Sequence, residues 1–429
     1  MRSLRHFVFN TTVLLSASGA LAAADFSDKL AIRFSANTEY TDNIFKTDAN
    51  KKSERQDTFG AFINTQHNTD SVELLLDLGI NHHTFSKDSE DSETSVEGLA
   101  QITAQLNRHL EAKAYINRKV VVSNPKQQTL ISNTDEKTIT GLDLKTSFNI
   151  TPVDEFTLTP QASLVSYEDA PDLESKRLGI NTQWTHRLSP ISDIVAGYTY
   201  SEIEYDSSQN DQTYERGYIG YNSSLRILEY SVEAGYNLIN PSKGNHTYKP
   251  FYRFDIDYDG GVHKLNISGS SIITDSSLGD GNIDPISADT TTAGSSEQLD
   301  QLTRDELSIA YSFDQLCSTC FTGIDATWLQ EEYLTLLSQN LEEYALSAFI
   351  QLQTTPRSSL NLRLTQKDVA FEFDSVSDYQ ETTTLLDFQY QLNPQMNAGI
   401  FTRYEKRDSN NQSLRYSELR GGLSLNYEL

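Results

Sequence analysis

The sequence predicts an all-β fold, a transmembrane antiparallel up-and-down β-barrel of about 20 strands with short periplasmic turns and longer acidic extracellular loops. Three observations predict it. The chain opens on a secretory leader, apolar and polar residues then alternate with period two, and tight turns alternate along the chain with longer polar loops.

The leader reads as residues 1–24. A basic start with Arg2 and Arg5 precedes an apolar stretch from Phe7 to Leu21, and Ala22 and Ala24 fit a cleavage site before Asp25. No cysteine stands at the cut, so no lipid anchor is expected. Residues 25–429 are then the barrel. Downstream of the leader no apolar run approaches the roughly 18 to 20 residues that a membrane helix needs. A barrel strand escapes that test because only alternate side chains meet lipid.

The alternation is plain in three places. Leu142, Leu144, Phe148 and Ile150 interleave with Asp143, Lys145, Ser147 and Asn149. Tyr252, Phe254, Ile256 and Tyr258 interleave with Arg253, Asp255 and Asp257, and Leu386, Phe388, Tyr390 and Leu392 with Asp387, Gln389, Gln391 and Asn393. One face suits lipid and the other suits water.

Tight turns fall at residues 68–70, 107–109, 151–154, 188–190, 226–228, 259–261, 317–320, 355–357 and 393–395. Between them run polar, largely acidic loops, among them 46–57, 86–93, 123–136, 167–174, 206–211 and 275–300. Short turns on one side and long loops on the other are the asymmetry of an outer-membrane barrel, which places the chain in a Gram-negative outer membrane with lipid and lipopolysaccharide around it. Counting the hairpins gives about 20 strands. Eighteen is the alternative, because Leu360, Leu362 and Leu364 lose phase with Val369, Phe371 and Phe373.

Phe148, Phe156, Trp184, Tyr258, Phe313 and Tyr390 recur beside the short turns, as an interfacial girdle requires. The last strand, from Leu419 to Leu429, ends with alternating apolar residues and resembles the terminal signal read by the barrel-assembly machinery. Leu429 stands where that signal prefers phenylalanine.

The first strand is expected at about Lys29, which leaves no room for an N-terminal plug or a periplasmic transport domain. A barrel of this size encloses more space than side chains fill, so an open or loop-gated pore follows. The longest loop, 275–300, is the natural gate and either folds into the lumen or lies on the surface. Its acids Asp280, Asp284 and Asp289 lack the spacing of an EF-hand and read as a solvated charge run. Arg33, Lys113, Lys145, Arg177, Arg253, Arg304, Arg363 and Arg403 share the expected lumen face with Glu73, Asp77, Glu111, Asp143, Asp255, Asp257, Glu306 and Asp387. Mixed signs suit a polar, hydrated solute, and the charges also have partners across strands.

The composition excludes other classes. With 34 basic against 60 acidic residues the net charge is −26, so nucleic acid is not an expected partner. His82-His83 is the one histidine cluster, and neighbours on a strand point to opposite faces. No hydrolase, zinc-protease or phosphate-loop motif occurs, so neither an enzyme nor a cofactor is expected. Cys317 and Cys320, three apart in an oxidising compartment, read as a disulfide pinning a turn rather than a redox or zinc motif.

The opening strand, Asn37-Thr38-Glu39-Tyr40-Thr41-Asp42-Asn43-Ile44-Phe45, resembles the start of an outer-membrane β-barrel porin family associated with exopolysaccharide and biofilm-matrix gene clusters. The resemblance implies an exit channel for a polysaccharide, working with a periplasmic polysaccharide-export protein. The lumen composition fits equally a diffusion porin for small hydrophilic solutes. Inward aromatics such as Tyr115, Phe251, Phe349 and Phe401 either stack on sugar rings or pack inside the wall.

Overall fold

The computed structural model describes residues 30–124, 126–127, 130–206, 211–242, 246–277 and 299–429. The leader 1–24 and residues 278–298 of the expected gate loop, with Asp280, Asp284 and Asp289, lie outside them.

Twenty strands run in sequence order. The first ten are β1 (Leu30–Thr41), β2 (Glu54–Asn68), β3 (Val72–Phe85), β4 (Glu93–Asn107), β5 (Leu110–Val122), β6 (Thr134–Asn149), β7 (Asp154–Tyr167), β8 (Ser175–Ser189), β9 (Ser192–Tyr205) and β10 (Gln212–Ser224). The second ten are β11 (Leu228–Pro241), β12 (Thr247–Asp259), β13 (His263–Asp275), β14 (Gln301–Phe313), β15 (Cys320–Tyr333), β16 (Leu341–Thr355), β17 (Ser358–Phe371), β18 (Tyr379–Asn393), β19 (Met396–Ser409) and β20 (Tyr416–Glu428). Each pairs antiparallel with its neighbours in the chain, and β1 closes the ring on β20 from Arg33↔Glu428 to Thr41↔Arg420. Closure gives every described strand a partner on both sides.

The count is 20, not 18, because β17 is one unbroken strand. Leu362 and Leu364 are exposed on its outer face, whereas Val369 and Phe371 turn inward and pack with Tyr379 and Leu341. The apolar residues change face along the strand because its upper end is covered from inside, and that is why the phase is lost in the sequence.

Alternation sorts the side chains as expected. Leu142 and Leu144 are exposed on the outer face of β6 while Asp143 between them is buried inside. The register carries Phe148, Phe156, Trp184, Tyr258, Phe313 and Tyr390 to that outer face, beside the short turns. All nine expected tight turns connect strands at one end, and the last of them joins β18 to β19. The disulfide joins Cys317 and Cys320 across the β14–β15 turn.

Prolines mark two interruptions of the ladders. Pro160 sits in β7 where the β6 pairing skips from Asp143↔Gln161 to Thr146↔Leu158, and proline has no N–H to donate. The β12–β13 pairing begins at Tyr252↔Ser271, so Thr247–Phe251, with Pro250 among them, have no rung on β13. Above that point β13 bends into the barrel. Ile273 packs on Tyr214 and Ile239 of the inner wall, and residues 271–277 are buried.

Candidate functional site

The lumen is the candidate site, and register fixes which side chains face it. Starting from Arg33, whose guanidinium lies 4.5 Å over the Phe62 ring inside the barrel, directly opposed pairs carry one face round the ring. On that face stand Arg33, Lys113, Lys145, Arg177, Arg253, Asp255, Asp257, Arg363 and Arg403. His83 shares it, with its Nδ1 3.0 Å from both Gln56 and Thr58, while His82 faces out toward Thr94.

Many of these charges are matched. Lys113 meets Asp143 at 2.9 Å, Arg363 meets Asp325 at 3.6 Å, and Arg403 meets Glu405 at 2.8 Å. Round β18 to β20 and back to β1 runs a ladder in which Arg407 holds Glu381, Lys46 reaches down from the first outer loop to Glu405, and Arg420 bridges Glu418 and Glu39. Arg33, Lys145 and Arg253 have no ion pair among the described residues. Asp257 accepts a hydrogen bond from Asn266. Opposite signs side by side cancel at a distance, so the lumen offers polar anchorage rather than one steep field.

Two segments narrow it. The first is the connection between β5 and β6, described at residues 123–124, 126–127 and 130–133 and tied at its base by Asn133, whose Oδ1 accepts from Asn124 N and whose Nδ2 donates to Asn124 O. It reaches the far wall. Lys126 Nζ donates to Ser338 O at 2.7 Å and to Asp374 Oδ2 at 2.9 Å, and lies 4.9 Å from the Phe371 ring. Arg407 Nη1 donates to Gln127 O at 3.1 Å. The Lys126 ammonium and Ser377 hydrogen bonds hold the Asp374 carboxyl below its usual range.

The second segment is the root of the β13–β14 loop. Arg177 on β8 grips Asp275 with two hydrogen bonds, Nη1 to Oδ2 at 3.1 Å and Nη2 to Oδ1 at 3.0 Å, and both side chains are almost completely buried. Tyr167 donates to Ser277 O at 2.7 Å, and Gln301 reaches Gln212 on β10. Leu299 packs on an apolar cluster of Tyr115, Val121, Ile139, Val165, Tyr167 and Leu173. The described ends of the expected gate are thus seated inside the barrel.

The inward aromatics are packed. Tyr115, Phe349 and Phe401 lie over Gly141, Gly323 and Gly422 directly across their partner strands, so close that a Cβ there would come within 2.1, 2.6 and 2.7 Å of them. Phe251 is 2% exposed beneath the Arg216 guanidinium.

Sequence reasoning missed the constricting loop, and a signal for it exists. Residues 123–133 contain no acid and carry Lys126, Leu130 and Ile131, a composition suited to docking on acidic walls.

No family model matches the sequence, and no curated protein matches it. Among solved structures, the siderophore receptor PirA from Acinetobacter baumannii aligns with a TM-score of 0.53 and 8% identity, over 95% of this chain and 81% of that one. The FrpB iron transporter from Neisseria meningitidis, F5-1 variant, aligns at 0.50 and 10% identity, over 94% and 83%. OccAB2 of Acinetobacter baumannii covers 95% and 99% at 11% identity with a TM-score of 0.40. At such identities the likeness is one of fold. The chain has the closed antiparallel β-barrel fold of outer-membrane proteins, with a polar interior.

Proposed function

We propose that the barrel is a loop-constricted outer-membrane channel for hydrated, hydroxyl-rich solutes. The observation that carries this reading is the loop 123–133, clasped across a lumen lined with paired charges and polar groups. A segment held by two charged side chains narrows the passage without filling it, and each contact is one that water can replace.

The cargo implied by the resemblance of the opening strand is an exopolysaccharide, exported with a periplasmic polysaccharide-export protein. Diffusion of small hydrophilic solutes is the second reading, favoured by the clasp, since a docked loop admits a small solute more readily than a polymer. Insertion is assigned to the barrel-assembly machinery through the strand ending at Leu429. No catalytic role forms part of the reading.

Surface polysaccharide on an in-frame deletion strain beside its complemented parent tests the cargo. Loss of polymer with an intact outer membrane is the expected result for export. Unchanged polymer, together with swelling of liposomes containing the barrel in small sugars, assigns it to diffusion, and an absence of both overturns the channel reading.

A further inference from the structure

Most arginines on the lumen face stand against a carboxylate: Arg177 on Asp275, Arg304 on Glu331, Arg407 on Glu381 and Arg420 on Glu39. Arg216 on β10 is more than nine-tenths buried and has no carboxylate within ion-pair distance among the described residues. Its guanidinium carbon lies 4.3 Å from the centre of the Phe251 ring and 5.3 Å from that of Tyr214. Its Nε donates to Asn237 Oδ1 at 2.9 Å, and the Tyr214 hydroxyl donates to the same oxygen at 2.8 Å.

Those two donors fix the Asn237 amide, because a flip would turn its NH2 onto a guanidinium N–H that can only donate. With the oxygen engaged, neither Asn237 Nδ2 nor Arg216 Nη2 has an acceptor among the described residues. The two residues face each other directly across β10 and β11, with Asn237 0% exposed. Glu233 interacts with Arg216 through space but makes no ion pair or hydrogen bond with it among the described residues. Its side chain packs over Gly220, further down the same pair of strands, and it stands opposite Arg253. Two adjacent buried donors, one charged, are costly to leave without an acceptor.

We propose that Arg216 and Asn237 form a carboxylate-binding site in the lumen wall. One guanidinium and one neutral amide supply a single positive charge and two N–H donors, which match a carboxylate rather than a doubly charged phosphate. The aromatic rings of Phe251 and Tyr214 hold the guanidinium flat and keep competing water from its faces. Ile273 of the inward-bent β13 packs on Tyr214, so the site lies where that segment narrows the lumen. The proposal deepens the channel reading and rests on it, since a solute must reach this wall from the aqueous interior. The carboxylate belongs either to a uronate unit of a polymer or to a small free acid.

The test is calorimetric titration of the folded barrel in detergent with galacturonate, oligogalacturonate and acetate, with glucose as the neutral control. Heat-modifiable migration on gels verifies folding of every variant. The carboxylates bind and glucose does not, and R216Q weakens binding at least tenfold while R216K, which keeps the charge but loses the fork, falls between. Tighter binding of the oligomer assigns the site to a polymer, and equal binding of galacturonate and acetate assigns it to small acids. Absence of carboxylate binding, or binding unchanged in folded R216Q, overturns the proposal. Conductance in planar bilayers is measured separately: conduction without carboxylate binding removes the site and keeps the channel, whereas binding without conduction does the reverse.

Discussion

Replacing Lys126 by alanine is expected to release the loop 123–133 from the far wall. The side chain makes two hydrogen bonds, to Ser338 O and Asp374 Oδ2, and lies over Phe371. Asp374 is about one-third exposed, so its ion pair is screened and is worth about 1 kcal/mol. The cation–π contact and the bond to Ser338 O together add about 1 kcal/mol. A loss of about 2 kcal/mol shifts the docked-to-undocked ratio by roughly 30-fold. The bond from Arg407 to Gln127 O remains as the second clasp, so R407Q combined with K126A releases the loop further. Single-channel recording in planar bilayers reads this as longer occupancy of the larger conductance level. A K126A channel with wild-type conductance and gating would refute the clasp, as would a K126A/D374A pair whose effects simply add.

Four further outcomes follow from the geometry. Asp374, whose carboxyl is held below its ordinary value, contributes to the clasp at neutral pH, and that contribution is lost only as the pH falls below the normal carboxylate range. Conductance should therefore be steady from pH 7 down to about 5 and rise toward pH 3 in the wild type but not in D374N. Removing one partner of the buried Arg177–Asp275 pair, by R177M or D275N, costs about 3–5 kcal/mol of unfolding free energy in urea, whereas the double apolar replacement recovers much of it. Gly98 has a φ of +133°, and a Cβ there would stand 1.9 Å from the Asp77 carbonyl, so G98A lowers the urea midpoint, equivalent to about 2 kcal/mol or more. The Cys317–Cys320 disulfide closes only a short loop, so its removal costs about 2 kcal/mol at most and a C317S/C320S barrel still assembles and keeps its heat-modifiable migration.

The strand faces were legible because a strand has a period of two, and lipid and water act on alternate side chains. That rule alone gave Asp143 an inward and Leu142 and Leu144 an outward direction. It failed at Val369 and Phe371, where the inner face is covered by protein and apolar residues are as stable inside as outside. The candidate lumen residues were found by the same rule, but their partners were not. Lys113 with Asp143 is a contact between adjacent strands, whereas Lys126 with Asp374 joins positions 248 apart in the chain.

The barrel, its turns, the strand faces outside the covered end of β17 and the outward aromatics are written in the order of the amino acids, because each of these follows from local periodicity and turn chemistry. Which loop crosses the lumen, where β13 leaves β12, and that Arg216 and Asn237 stand together without an acceptor among the described residues emerge only in the folded ring. Those features depend on which segments closure of the ring on β20 brings face to face, and no pattern along a single strand carries that distance.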